Sequence, residues 1–283
     1  MRINKDLYDI EMREFQPAIQ IIHDYYGFDM SGYGHASLRR RFIGLMDQFQ
    51  VSSIFELNHA ITNQEISYQK IINFMTVNVT EMFRFPPFFK SLQDEVIPYL
   101  KTFPVFKIWH AGCSTGEEMY SLAILLHEAG ILSRAKIYGS DINSEVLEVA
   151  KKGIYNIANL KKFTKNYQES GGTEPFSKYY TAHYDMIKMD PILSDQMTFC
   201  NHNLVQDGPF NEFQLILARN VLIYFDNNQK AKVISLLDKS LCPTGFIGLG
   251  SKDRMLTAEC KSDYSSVNGL TKIYRKEPIA VKS

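Results

Sequence analysis

The segment Ile108-Trp109-His110-Ala111-Gly112-Cys113-Ser114-Thr115-Gly116-Glu117-Glu118-Met119-Tyr120-Ser121-Leu122-Ala123 constrains the fold of this protein more than any other. It reads as a short buried strand, a tight turn of small residues and a helix. Gly112 and Gly116 carry no Cβ, so the backbone can bend there and approach a ligand closely. The helix then opens with free N–H groups pointing at the turn. Such a turn sits at the carboxyl end of a parallel sheet, where nucleotides and nucleosides bind. About 25 residues on, a second strand, Ala135-Lys136-Ile137-Tyr138-Gly139-Ser140, runs into Asp141, where an acid can accept hydrogen bonds from both ribose hydroxyls. Taken alone, the turn is equally compatible with an ordinary strand-to-helix loop.

The spacing is neither G-x-G-x-x-G nor a P-loop, since no Gly-Lys-Ser/Thr follows. Glu117 and Glu118 at the helix start would repel phosphate and suit a cationic or neutral ligand. S-adenosylmethionine fits: it carries a sulfonium and an amino group and no phosphate.

Composition narrows the rest. Lysine plus arginine and aspartate plus glutamate number 31 each, so net charge is zero and does not point to nucleic acid. The four cysteines, Cys113, Cys200, Cys242 and Cys260, form no C-x-x-C pair, and the seven histidines form no H-x-x-x-H, so no metal site is expected. Met1-Arg2-Ile3-Asn4-Lys5-Asp6 is polar and mixed in charge, unlike a signal peptide, and the apolar run at 213–218 is too short to span a bilayer. The expectation is a cytoplasmic protein without membrane insertion.

Residues 1–78 read as a helical domain. Phe15, Ile19, Ile22 and Tyr26 recur at helical spacing and Gly27 is a plausible stop; Leu38, Phe42 and Leu45 follow on a second helix; Ser53 caps a third and Asn63 a fourth. Arg39-Arg40-Arg41 reads as a solvated helix face, with at least one arginine expected toward the cleft or the approaching substrate. A joint spans 79–104, in which Pro86-Pro87 starts a helix ending near Pro98. Over 105–283, strands near 105–110, 135–140, 213–218 and 245–250 alternate with helices near 116–129, 143–152 and 227–240, which implies a parallel sheet. Pro243-Thr244-Gly245 reads as the turn into the last of these strands. Residues 179–184, 185–190 and 197–200 are rich in strand formers and suggest an inserted antiparallel β subdomain at about 176–200.

Four blocks stand in fixed order: Thr76-Val77-Asn78-Val79-Thr80-Glu81-Met82-Phe83-Arg84, Ala111-Gly112-Cys113-Ser114-Thr115-Gly116-Glu117-Glu118, Gly139-Ser140-Asp141-Ile142-Asn143 and Ala218-Arg219-Asn220-Val221-Leu222-Ile223-Tyr224-Phe225, with His202-Asn203-Leu204 before the last. This set closely resembles the CheR family of chemotaxis receptor methyltransferases, over nearly the whole sequence. The resemblance implies an α/β fold: a Rossmann-like S-adenosylmethionine-dependent methyltransferase sheet with an N-terminal helical bundle and a small inserted antiparallel β subdomain. It implies methyl transfer to glutamate side chains of chemoreceptors, with S-adenosylhomocysteine as product, receptor cytoplasmic helices as partner and a monomeric enzyme. Carried over by position, Asn78, Thr80 and Arg84 lie over the cofactor, Glu118 holds its methionyl end, Asp141 its ribose, and Asn203 with Leu204 its adenine. Gly112 and Ala218 line the same site, and Arg219 and Tyr224 border the transferring methyl. Two departures stand out: Met82 replaces an aromatic beside Phe83, and Gly250-Ser251-Lys252-Asp253 replaces a Gly-His-Ser-Glu-like run, which leaves the role of that loop open. Some members grip a receptor-tail peptide with the β subdomain; the tight, glycine-free turn between Tyr184 and Met186 resembles members that do not.

The chemistry is consistent with the residues. A glutamate side chain, of unperturbed pKa about 4.3, is already a nucleophile at neutral pH, so no general base is needed. An arginine can grip it without losing charge, which makes Arg84 and Arg219 the candidates, with Tyr224 as a hydrogen-bond donor or a cap on the sulfonium. His110 and His202 read as structural. Two other functions remain open at this level: methylation of another protein or a small molecule, and a silent S-adenosylmethionine-binding signalling module.

Overall fold

A computed structural model describes residues 10–26, 28–30, 33–76, 80–251, 253 and 263–278. The described residues fall into two compact units, one drawn from 1–77 with 224–230 and the other from 78–223 with 231–283.

The first unit is built on α1 (Gln16–Tyr26), α2 (His35–Gln48), α3 (Ile54–Thr62) and α4 (Tyr68–Met75). Their apolar faces form its core, where Phe15 stacks on Phe42 with ring centroids 4.9 Å apart. Ser53 caps α3 by accepting from the Glu56 N–H at 3.2 Å, as its position predicts. Asn63, expected to start α4, instead ends α3, and α4 begins after Ser67. Asn serves at either helix end, so its identity does not fix which one it marks. Gly27 lies outside the described residues.

The arginine run resolves into three fates. Arg40 is exposed, Arg39 is half-buried and donates through Nε to the Ile10 carbonyl at 2.6 Å, and Arg41 is buried. Arg41 Nη1 donates to the Met75 carbonyl and, at 3.3 Å, to that of Phe74. These are orphan carbonyls in the last turn of α4, so the Arg41 guanidinium, delivered from α2, caps the carboxyl end of another helix. The expected solvated face therefore holds for Arg40 but not for Arg41.

The second unit is an α/β structure. Its first helix, α5 (Pro86–Ser91), starts at the proline pair, as expected. It runs through a π turn over Leu92–Val96 into α6 (Ile97–Leu100) and so ends two residues past Pro98, near where expected. The wider turn accommodates a proline that lacks an N–H and would clash with an ordinary α turn. Strand β1 (Phe106–Ala111), α7 (Glu117–Glu128), β2 (Ala135–Asp141) and α8 (Ser144–Lys152) follow. An excursion then contains β3 (Ile154–Asn156), α9 (Leu160–Glu169), β4 (Tyr180–His183), β5 (Met186–Met189) and α10 (Pro191–Ser194). The remaining elements are β6 (Met197–Asn201), β7 (Phe213–Ala218), α11 (Asn227–Lys239), β8 (Leu241–Leu249), β9 (Tyr264–Asn268) and β10 (Ile273–Lys276).

Seven strands form the main sheet in the order β6-β2-β1-β7-β8-β10-β9. The β6-β2-β1-β7-β8 portion is parallel and the β8-β10-β9 edge antiparallel. Central strands are buried on both faces and accordingly read as apolar runs, Leu215-Ile216-Leu217 among them. A separate antiparallel sheet, β3-β5-β4, is the inserted subdomain.

Three details depart from expectation. Met197–Cys200 is not part of the inserted sheet: β6 pairs in parallel with β2, Cys200 opposite Ser140, and forms an edge of the main sheet. The subdomain gains its third strand from Ile154–Asn156, too short and too close to α8 to show a strand pattern. Pro243-Thr244 is a kink inside β8, with Thr244 at φ +63°, rather than a turn before it. The β4–β5 connection is the tight turn expected: His183 pairs with Met186, and only Tyr184 and Asp185 lie between, Tyr184 at φ +52°.

Arg41→Ala leaves the α4 carbonyls without their charged donor. The expected loss is about 1.5–3 kcal/mol of unfolding free energy, the range for hydrogen bonds to a charged group. Urea denaturation monitored on the helical signal measures it, and an unchanged midpoint would remove Arg41 from the capping role.

Candidate active site

In the parallel part of the sheet, β2 and then β6 are added on one side of β1, and β7 and β8 on the other. The strand order therefore reverses between β1 and β7, and the carboxyl ends of those strands border the crevice where α/β sheets bind ligands. Gly112 follows β1, Asp141 ends β2, His202-Asn203-Leu204 follows β6, Ala218 ends β7 and Arg219 comes next. Six of the candidate residues thus reach one edge of the sheet through topology alone.

The turn after β1 needs its glycines. Gly112 has φ +73°, and a Cβ there would lie 2.5 Å from Val221 Cγ2; Gly116 has φ +89°, with a Cβ 2.8 Å from that of Ala150. The amides of Gly112 and Cys113 both donate to the Ser140 carbonyl at 2.8 Å, which ties the turn to the end of β2. Trp109 reinforces the same junction through Nε1–H to Ser140 Oγ at 2.8 Å.

Asp141 accepts from the Ser114 N–H on Oδ2 at 2.9 Å and from the Asn143 N–H on Oδ1 at 3.0 Å. Burial pushes its carboxyl up from the ordinary aspartate value, while the backbone donors pull the other way. Each oxygen keeps lone-pair capacity, enough for a vicinal diol. Asn203 orders its own turn: its side-chain oxygen accepts from Val205 N–H at 3.0 Å, its Nδ2 donates to Gln206 Oε1 at 2.9 Å, and its backbone N–H donates to Asp207 Oδ2 at 2.8 Å. Leu204 is buried beside it.

Three side chains, Arg219, Glu118 and His110, are linked beside the turn after β1. Arg219 Nη1 donates to Glu118 Oε2 at 2.8 Å, and the other carboxylate oxygen lies 3.1 Å from His110 Nδ1. A carboxylate only accepts, so His110 carries its proton on Nδ1. The Arg219 side chain is 5% exposed, and its guanidinium lies 4.0 Å from the centroid of the Phe88 ring. Burial pulls the arginine's pKa down and Glu118 opposes this. For Glu118, burial acts to raise the pKa, but Arg219 and His110 outweigh it and hold the carboxyl below its usual value. Both members of the pair are therefore charged. Two buried nitrogens here, His110 Nε2 and Arg219 Nε, have no hydrogen-bond partner among the described residues.

Arg219 Nη2 donates to the Arg84 carbonyl at 2.8 Å. Arg84 itself is half-buried between Phe83 and Phe85, both left-handed at φ +53° and +65°. Thr80, also half-buried, opens this segment. Asn78 lies outside the described residues. Tyr224 belongs to the helical unit, where its ring lies against Tyr33 at 6.4 Å between centroids. After β8, Asp253 is buried and accepts from Gly250 N–H at 3.2 Å, while Lys252 lies outside the described residues. The sequence marks His110 as structural and gives no sign of its contact with Glu118. The eight-residue separation across a turn leaves no periodic signal for such a pair. Among the described residues no group of His, Cys, Asp and Glu is placed to hold a metal, and no helix is long and apolar enough to cross a membrane.

The donor set suits S-adenosylmethionine: a diol acceptor at Asp141, an anion at Glu118 for an ammonium group, and a glycine turn without a phosphate-binding cation. Comparison with known proteins agrees. Residues 78–270 match the family described as CheR methyltransferase, SAM binding domain, and residues 13–76 match CheR methyltransferase, all-alpha domain. The sequence is 39% identical to the Pseudomonas putida protein named "Putative methyltransferase Cher3", over 95% of this chain and 97% of that one. It is 30% identical to the chemotaxis protein methyltransferase of Salmonella typhimurium, over 78% of this chain and 74% of that one. Identity to the Escherichia coli chemotaxis protein methyltransferase is also 30%, over 78% and 75%. Fold and site define an S-adenosylmethionine-dependent methyltransferase. Within that class, the chain belongs to the CheR methyltransferase family.

Asp141→Ala should weaken cofactor binding by about 1.5–3 kcal/mol, the value of hydrogen bonds to a charged group. Calorimetry with S-adenosylhomocysteine on the folded variant measures this, and unchanged affinity removes Asp141 from the ribose. Because the acid must be ionised to accept from both hydroxyls and its pKa is raised, wild-type affinity should fall with acidification at a higher pH than an ordinary aspartate would impose.

Proposed function

We propose that this enzyme transfers the methyl group of S-adenosylmethionine to glutamate side chains on the cytoplasmic helices of chemoreceptors, forming methyl esters, and acts as a monomer in the cytoplasm. The carrying observation is the disposition of the two arginines. Arg219 turns inward onto Glu118 and the Arg84 carbonyl, and this second contact fixes the backbone that carries Arg84, the residue assigned here to the substrate carboxylate. The names of the Salmonella typhimurium and Escherichia coli relatives support the chemotaxis assignment.

Bound S-adenosylmethionine supplies an electrophilic methyl carbon on a sulfonium. The substrate carboxylate forms the new C–O bond as the C–S bond breaks and the electron pair passes to sulfur, so no proton changes hands and no residue has to act as a base. The protein's task is to orient an anion in line and remove its water, a contribution of about 7–11 kcal/mol in well-aligned intramolecular reactions. In this reading Arg84 orients the carboxylate. Tyr224 and Arg219 border the methyl. Glu118 holds the methionyl ammonium, Asp141 the ribose, and Asn203 with Leu204 the adenine. Asn78 and Thr80 cover the cofactor, and Gly112 and Ala218 allow it close to the backbone.

Incubation with labelled S-adenosylmethionine and receptor-rich membranes tests the proposal. Label on receptor should be released as methanol in mild alkali, because it is an ester, and alkali-stable label would overturn the assignment. Arg84→Ala should melt within a few degrees of wild type yet lose most of its turnover.

The two-residue β4–β5 turn keeps the resemblance to family members that do not grip a receptor-tail peptide, and a free receptor-tail pentapeptide is therefore expected not to bind. Titration calorimetry should give no measurable heat, and micromolar binding would refute this.

A further inference from the structure

The segment that carries Arg84 is held at three successive residues by three side chains from separate elements. The Met82 carbonyl accepts from Asn166 Nδ2 of α9 at 3.0 Å. The Phe83 N–H donates to Ser121 Oγ of α7 at 2.8 Å. The Arg84 carbonyl accepts from Arg219 Nη2, after β7, at 2.8 Å. Segments outside regular structure normally satisfy their backbone through local turns or water, and three consecutive side-chain partners are a different arrangement.

The same stretch holds two left-handed non-glycine residues, Phe83 and Phe85, which persist only where surroundings over-determine the backbone. Those surroundings are visible. The Phe83 ring is buried against Phe89, Tyr167 and Phe176, at 5.1, 5.2 and 6.4 Å between centroids. Ser121 is fully buried and passes its own proton to the Glu117 carbonyl at 2.6 Å, so its oxygen is oriented to accept from Phe83. Asn166 is buried, and α9 adds an ion pair from Lys162 to Glu81 one residue before the strap.

We propose that Asn166 is a positioning residue for methyl transfer. Together with Ser121 it fixes the Met82–Phe85 strap in its left-handed form and so aims Arg84 before substrate arrives. α9 lies in the excursion between β3 and β4, so that excursion reaches back to the catalytic strap as well as carrying the small sheet. The inference rests on the proposed role of Arg84.

The test uses the full-length protein with receptor-rich membranes and labelled S-adenosylmethionine. Asn166→Ala should lower kcat at least tenfold while S-adenosylhomocysteine affinity falls by less than kcat does, because the contacts proposed for Asp141, Glu118 and Asn203 are untouched and only the strap over the cofactor is loosened. Hydrogen exchange of the peptide over 80–88 should accelerate. In an Arg84→Ala background the same substitution should cost no further turnover, since nothing remains to be aimed. Ser121→Ala, which loses the hold from the other side with little change in volume, should reproduce the phenotype if Asn166→Ala folds poorly. Arg84→Ala at wild-type turnover would overturn the Arg84 assignment and the positioning role with it. Loss of activity in Arg84→Ala beside normal turnover in Asn166→Ala and Ser121→Ala, or an additive double variant, would overturn the positioning role alone.

Discussion

The buried pair Glu118–Arg219 is the interaction on which the site depends, because it joins segments that share no regular hydrogen bonding. Glu118 stands in the first turn of α7 and Arg219 just beyond β7, 101 residues later. Taking two charges out of water is costly unless their remaining donors and acceptors are met. Here His110 meets the second carboxylate oxygen, the Arg84 carbonyl takes a second guanidinium donor and the Phe88 ring lies against the cation's face, while Arg219 Nε is left without a partner among the described residues. Removing either partner would leave an uncompensated charge beside the turn after β1. The pair is thus weak as a net source of stability and strong as a constraint on where α7, β7 and the Arg84 strap lie.

That constraint explains a division of labour between two arginines of the same chemistry. Arg219 follows a central strand, where the backbone is rigid on both sides, and its guanidinium faces inward. Arg84 sits on a short irregular strap whose backbone is gripped by neighbours. Fixing that backbone suits a reaction that needs orientation and desolvation but no proton transfer. The glycine turn makes the corresponding adjustment for the cofactor. Gly112 and Gly116 remove side-chain bulk where Val221 and Ala150 crowd in, and the turn's amides are anchored on the Ser140 carbonyl next to Asp141.

Much of this was legible in the residues. Apolar runs at 106–111 and 213–218, bounded by small residues, mark strands buried on both faces, and their alternation with helices specifies a parallel sheet. Pro86-Pro87 and Ser53 act locally and appear where their chemistry places them. Asp141 and the glycine turn were recognisable because both functions are local: a strand end and a positive φ. The family blocks pointed to S-adenosylmethionine and methyl transfer for the same reason, since each is a short contiguous run.

What the sequence could not decide are the choices among partners that are equal locally. Met197–Asn201 has the composition of any short strand, and only β2, already anchored in the sheet, offers it a parallel edge. Asn63 could end one helix or begin another. Arg39, Arg40 and Arg41 are alike as residues, and rotation of about 100° per position sends one to solvent and one onto the carbonyls of α4. His110 with Glu118, and Asn166 with Met82, meet across 8 and 84 residues. The sequence by itself determined the alternation of elements, the glycine turn and the acid at the end of β2, because each follows from backbone conformation or side-chain pattern within a few residues. The tertiary structure alone decided which buried polar groups pair, because hydrogen bonds and charges in a dry interior are satisfied by whatever packing brings within about 3 Å.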